Sequence, residues 1–288
     1  MDARRKFRLA TVPAAAGVVL MTLAAAFPSA AGTLSYTGSF QLAQGNYYFD
    51  QATRGVYFFN GFSFHSGAVT LTATVPLIYQ SSPYVSYSGV GVLPSGGSKS
   101  SAVGSQSGRR PGGNPVVLPE TEALEFRQFG VGDPLARLGV RLWREGPYLP
   151  SVELSGQAKF PLAGVETGFG TGTWDYGAGV SLTKRLGAVI FFADVGYWIL
   201  GDLPDLEILD PWSYAVSLGL PLSRGKAALL VSYFGLTRII EGVEPPSAAG
   251  AGLSFKVGPK SSLMINGSIG LSEASPDFTA SFGWSLGI

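Results

Sequence analysis

The chain has 288 residues, 14% of them charged and 46% hydrophobic, with 40 glycines and no cysteine. Ordinary soluble domains carry about 25% charged residues, so a water-facing exterior is hard to build from this stock. The missing cysteines exclude disulfides and thiolate metal sites, the lone His65 excludes clustered-imidazole sites, and a formal charge of +1 leaves no basic footprint for nucleic acid.

Residues 1–31 read as a cleaved secretory signal. Arg4, Arg5, Lys6 and Arg8 form a basic n-region, Leu9 to Phe27 an apolar stretch, and Ser29-Ala30-Ala31 the small residues before cleavage. A transmembrane anchor is the alternative; Pro13 and the small-residue end argue against it. Arg4-Arg5 also suits the twin-arginine route, but that route carries folded cargo, and the ordinary unfolded one fits better. Cleavage removes those four basic residues and Asp2, taking the formal charge from +1 to −2.

In the remaining 32–288 no segment offers the roughly 18 uninterrupted apolar residues of a membrane-spanning helix. Alternating segments recur instead, and period two is the mark of a strand with a different environment on each face. Twelve strands are predicted, over about 34–44, 54–64, 67–78, 134–144, 149–160, 173–184, 187–199, 211–222, 226–238, 249–257, 261–271 and 276–288. In the third, Val69, Leu71, Ala73, Val75 and Leu77 alternate with Thr70, Thr72, Thr74 and Pro76. In the last, Phe278, Ala280, Phe282, Trp284, Leu286 and Ile288 alternate with glycine, serine and threonine, and no charge intervenes. The strands at 54–64 and 226–238 are apolar on both faces, which leaves their orientation open.

Short connections (65–67, 145–148, 184–187, 223–226 and 258–261) alternate with longer ones along the chain. Short periplasmic turns and longer external loops are the pattern of outer-membrane barrels. The fold expected is therefore all-β: an antiparallel up-and-down transmembrane barrel of about twelve strands in the bacterial outer membrane. Its partners are outer-membrane lipid and, through the last strand, the barrel-assembly machinery. That strand resembles the signal this machinery reads, with Ile288 where phenylalanine is usual. Oligomeric state stays open.

The longest connection covers about 79–133. Within it Pro94 to Pro115 is rich in glycine, serine and proline, too poor in apolar surface to order itself. A flexible external loop is expected there, with an inward-folded lid as the alternative.

Few residues suggest chemistry, and no pattern points to a cofactor, a metal or a catalytic residue. His65-Ser66 is the one histidine–serine neighbourhood; nucleophilic catalysis needs a serine, a base and an orienting third group, and a polar turn explains the pair more simply. Gly168, Gly170 and Gly172 precede a strand rather than follow one, which is the wrong setting for a phosphate loop. The alternation puts Arg137, Arg141, Glu153, Lys159, Asp175, Asp194 and Lys256 inside the barrel, since Arg or Lys facing hydrocarbon costs about 2–4 kcal/mol at the midplane. Phe192, Trp198 and, on a weaker phase, Phe234 share the inward side. These residues either fill the interior with cross-strand pairs or contact a passing solute. Eight strands leave a filled interior and about 16 an open channel, so twelve imply a narrow passage for small molecules.

The run "FGVGDPLARLGVRLW" through "VELSGQAKFPLAGVETGFGTGTWDYGAGVSLTKRLGAVIFFADVGYWILGD" resembles the bacterial outer-membrane barrels labelled transporters of the meta-pathway of phenol degradation. The likeness rests on Gly130-Val131-Gly132-Asp133, Lys159-Phe160-Pro161, Gly170-Thr171-Gly172 with Trp174-Asp175-Tyr176, Gly196-Tyr197 and Gly201-Asp202. Leu162 departs from the family's threonine after the proline. The resemblance implies passage of small, aromatic molecules across the outer membrane. The alternatives are a non-transporting structural or adhesive barrel and a membrane-embedded lipid hydrolase.

Overall fold

The computed structural model describes residues 32–49, 52–82, 85–94, 128–163, 168–203 and 207–288. The signal-like segment 1–31 and residues 95–127 of the low-complexity connection lie outside these. The described chain contains fifteen strands: β1 (Thr33–Gly45), β2 (Thr53–Ser66), β3 (Val69–Gln80), β4 (Val85–Ser88), β5 (Gly91–Pro94), β6 (Gln128–Val131), β7 (Leu135–Trp143), β8 (Ser151–Lys159), β9 (Asp175–Leu186), β10 (Val189–Ile199), β11 (Trp212–Leu222), β12 (Ala227–Leu236), β13 (Ser247–Gly258), β14 (Ser261–Gly270) and β15 (Phe278–Gly287).

Each long strand pairs antiparallel with its sequence neighbour, and β1 also pairs with β15, closing the sheet. β6 and β7 both lie against β3, β6 on Leu77–Gln80 and β7 on Val69–Thr74. They share one place in the wall, which makes the closed ring twelve strands round. The break between them falls at Gly132-Asp133-Pro134, where proline supplies no ladder donor; the Gly132 N–H still reaches the Pro76 carbonyl at 2.8 Å. Closure leaves no backbone edge along the ring's long strands, as hydrocarbon requires.

The register assigns the faces. Outward go Leu154, Val180, Val216, Leu218 and Phe282, all substantially exposed. Inward go the small residues between them, so Ser217 opposes Ser232 and Ser281 opposes Asn266 across their ladders. Solvent-facing leucine on this scale is unfavourable in water, and hydrocarbon is the neighbour it suits. Aromatic rings collect at the end bearing the longer loops: Phe160 on Trp174 (centroids 4.9 Å apart) and Tyr197 on Trp212 (5.1 Å). Such a belt belongs at the membrane–water interface. The molecule is an outer-membrane barrel.

The two strands of open orientation now have a face. Tyr57 and Phe59 of β2 point inward, as do Leu230, Phe234 and Leu236 of β12. Tyr57, Phe59 and Leu236 are apolar inside because buried apolar residues meet them, whereas Phe234 stays exposed to the lumen. The connection expected as a flexible external loop from about 79 to 133 is ordered at both ends. Its first part, β4–β5, is a hairpin with Val85 and Leu93 buried, and its last part is β6.

A charge should be tolerated only on the inner face. Leu218→Arg is expected to lower stability by about 2–4 kcal/mol in denaturant titrations in lipid vesicles, whereas the neighbouring Ser217→Arg should cost far less.

Candidate functional site: a plugged lumen

The hairpin does not lie outside the barrel; it crosses the inside. On one side Tyr87 meets the inward rings of β2, with centroids 6.3 Å from Tyr57 and 6.2 Å from Phe59. Ile78, Phe169 and Val92 complete that apolar contact. On the other side Leu93 packs with Trp198, Leu236 and the loop residues Leu200, Ile208, Ile239 and Ile240. The strands bearing Tyr57 and Leu236 stand on opposite walls of the ring, so β4–β5 bridges the lumen. Its sequence permits this: Val85 and Tyr87 pair with Pro94 and Val92 around a Ser-Gly turn. That alternation is the signal within the long connection that marks a hairpin.

Polar contacts hold the plug in register. Gln80 Nε2 donates to the carbonyls of Ser82 (2.7 Å) and Val85 (2.9 Å), and the Tyr87 N–H donates to the Gly168 carbonyl (3.1 Å). At the tip, the Gly89 N–H donates to Asp175 Oδ2 at 2.7 Å. A side chain at Gly89 would meet Trp198 at 2.7 Å, and one at Gly177 would meet the same indole at 2.9 Å, so two glycines bracket Trp198.

Asp175 belongs to a buried ionic cluster. Lys159 Nζ lies 3.0 Å from Asp133 Oδ2 and 3.2 Å from Asp175 Oδ2, and also donates to Thr171 Oγ1. All three charged residues have 0% of their surface exposed. The remaining acceptors are used too: Asp133 Oδ1 takes the N–H groups of Leu162 (2.8 Å) and Ala163 (2.7 Å), and Asp175 Oδ1 takes that of Gly201 (3.1 Å). One lysine thus joins the β6–β7 break, the β8–β9 loop and the β9 wall that holds the plug. Burial, and then the charge of Asp133, pushes the Tyr87 phenol well above its ordinary range, so it stays neutral.

The other inward-phase charges are separate from this cluster. Arg137 and Glu153 form an ion pair at 3.6 Å with both side chains partly exposed, and Arg141 donates to the Gly67 carbonyl at 2.8 Å. Asp194 accepts from the Ser181 hydroxyl. Lys256 sits at the β13 end beside the short turn, opposite Ser262. Phe192 shares a rung with Ser217, and Phe234 one with Ala215. Sequence reading singled out Lys159 and Asp175 but missed Asp133, which the pattern placed at a strand boundary.

Below the plug a cavity of about 280 Å³ opens between β1, β2, β3, β14 and β15, lined by Thr37, Gln41, Phe59, Thr74, Asn266 and Ser281 among others. Its walls are hydroxyls, amides and glycines together with Phe59, Trp284 and the Met264 thioether, with no charge. His65, at the short-turn end, bonds Thr70 Oγ1 at 2.9 Å through Nδ1. Among the described residues no group of three metal-ligating side chains converges.

Lys159→Met leaves two buried carboxylates without their cation, an expected loss of about 3–5 kcal/mol. The compact, unheated form on denaturing gels should then convert at a lower temperature than the parent's.

Comparison with known proteins agrees with the architecture. The fold resembles an outer membrane channel from Pseudomonas putida F1, with TM-score 0.62 and 11% identity over 89% of this chain and 96% of that one. It resembles more loosely CymD, a monoaromatic hydrocarbon channel, with TM-score 0.46 and 7% identity over 90% and 89% of the two chains. A TodX mutant, also a monoaromatic hydrocarbon channel, gives TM-score 0.42 and 10% identity over 89% of each. A search of curated protein sequences finds no match. Residues 35–288 match the family described as "Putative MetA-pathway of phenol degradation", and the chain belongs to that family of outer-membrane barrels.

Proposed function

We propose that the protein is an outer-membrane channel for small molecules, aromatic ones among them, with the β4–β5 hairpin as its removable stopper. The observation that carries this reading is the division of the lumen. The outer half is closed by a hairpin held through a few hydrogen bonds and apolar contacts on two sides, while the inner half opens into a space lined largely by glycine, serine, threonine and amide side chains. A purely structural barrel gains nothing from a space of that kind. Small-molecule sites span about 300–1,000 Å³, and the cavity of about 280 Å³ under the plug suits a single-ring solute. Phe59, Met264 and Trp284 there, with Phe192 and Phe234 on the opposite wall, offer apolar contact along a path that also carries hydroxyls and amides. The family's phenol-degradation label and the channel architecture of the Pseudomonas putida barrel support the same reading.

Displacing the stopper tests it. In Gly89→Val the added carbons collide with Trp198 and with Asp175, whose Cβ lies 3.1 Å from a Cβ at residue 89. The substitution itself lies in the hairpin and changes no wall-strand residue. Planar-bilayer conductance and uptake of phenolic solutes by proteoliposomes should rise severalfold over the parent; equal, negligible flux in both proteins would refute the channel. For the hydrolase alternative, Ser66→Ala should leave lipid turnover unchanged, because the His65 ring is engaged by Thr70.

A further inference from the structure

We infer that the inner half of the lumen is an electropositive vestibule that selects small anions, organic carboxylates included; this rests on the channel reading above. The inward phase of β7, β9 and β13 places Arg137, Arg141, Arg185 and Lys256 on the lumen side, toward the end with the short turns. Against them stand Glu153, already taken by Arg137, and Asp194. Once that pair is set aside, Arg141, Arg185 and Lys256 face one carboxylate. Among the described residues neither the Arg185 nor the Lys256 side chain forms a salt bridge, although the Arg185 charge is felt by Glu145 on the adjoining turn.

The short turns repeat the sign. Arg144, Arg224, Lys226 and Lys260 are exposed on them, and the acid beside them is Glu145, itself held by Lys184 at 3.4 Å. The Arg185 N–H, and then Lys184, keep the Glu145 carboxyl below its ordinary range, so it stays charged without outnumbering the cations. The opposite rim reverses the sign, with Glu244, Glu273 and Asp277 exposed and Arg238 paired to Glu241.

Which rim governs selectivity follows from geometry. Charges on exposed turns and loops are screened within about 8 Å at physiological salt. Charges inside a narrow passage with low-dielectric walls focus their field along the axis, where a solute must travel. The lumen cations therefore decide, and the rims matter only at low ionic strength. A vestibule with cations on β7, β9 and β13, and with Phe192 and Phe234 on strands β10 and β12 between the last two, matches an aromatic carboxylate better than a neutral arene or an ammonium.

Reversal potentials in planar bilayers under a KCl gradient test this, read on the parent and on Gly89→Val so that a closed stopper does not hide the answer. A potential of about one kT per unit charge on the axis enriches chloride and depletes potassium by about 2.7-fold each, a permeability ratio of about 7, and benzoate should likewise outrun benzylammonium. The double variant Arg185→Glu with Lys256→Glu, at exposed positions near the wall's end, should bring the ratio to one or below while keeping the heat-modifiable gel shift. Arg224→Glu with Lys260→Glu on the turns should change it only at low salt. A parent pore that conducts without preference, or prefers cations, overturns the inference and leaves the channel standing. Absence of current in both parent and Gly89→Val overturns the channel and the inference together.

Discussion

A single buried ammonium organises the functional half of this barrel. Lys159 ends β8 between two carboxylates, each of which also accepts backbone N–H groups from a different loop. Removing three charges from water costs several kcal/mol per ion, and only close geometry with every remaining acceptor satisfied offsets that. Here the condition is met, so the cluster acts less as a source of net stability than as a register pin. It determines where the wall breaks at Asp133, where the β8–β9 loop turns in, and where the plug tip docks on Asp175.

From that pin the lumen divides into two environments. The outer half is apolar because the plug and the loops beyond β10, β12 and β14 pack there against Tyr57, Trp198 and Leu236. Tyr48 joins them from the first loop, its hydroxyl taking the Glu244 N–H at 2.9 Å across the mouth. The inner half has no such partner among the described residues, and hydroxyls, amides and an excess of cations over carboxylates line it. A solute thus meets an apolar contact zone and then a polar, positively charged one. The plug is held to the wall by contacts that can be lost without disturbing any strand pairing of the barrel.

The twelve-place wall could be read directly. Lipid imposes its choice one residue at a time, apolar out and small or polar in, so the alternation in "VTLTATVPL" or "FTASFGWSLGI" carries both strand and face without knowledge of any neighbour. Most strand bounds agree within two residues, and the order of short and long connections is the observed one. Strand β2 was ambiguous for a physical reason: Tyr57 and Phe59 are apolar inside because of a hairpin the local pattern does not report.

Sequence alone therefore determined the barrel, its closure and the sign of the wall faces other than those of β2 and β12, since those depend on spacing and on solvent. Only the tertiary structure decided the plug and its lock. Gly89 and Asp175 are 86 residues apart, Asp133 and Lys159 26 apart, and no periodicity links them. Whether a buried charge is paired, and by what, is a property of three-dimensional proximity, and a one-dimensional pattern holds no record of it.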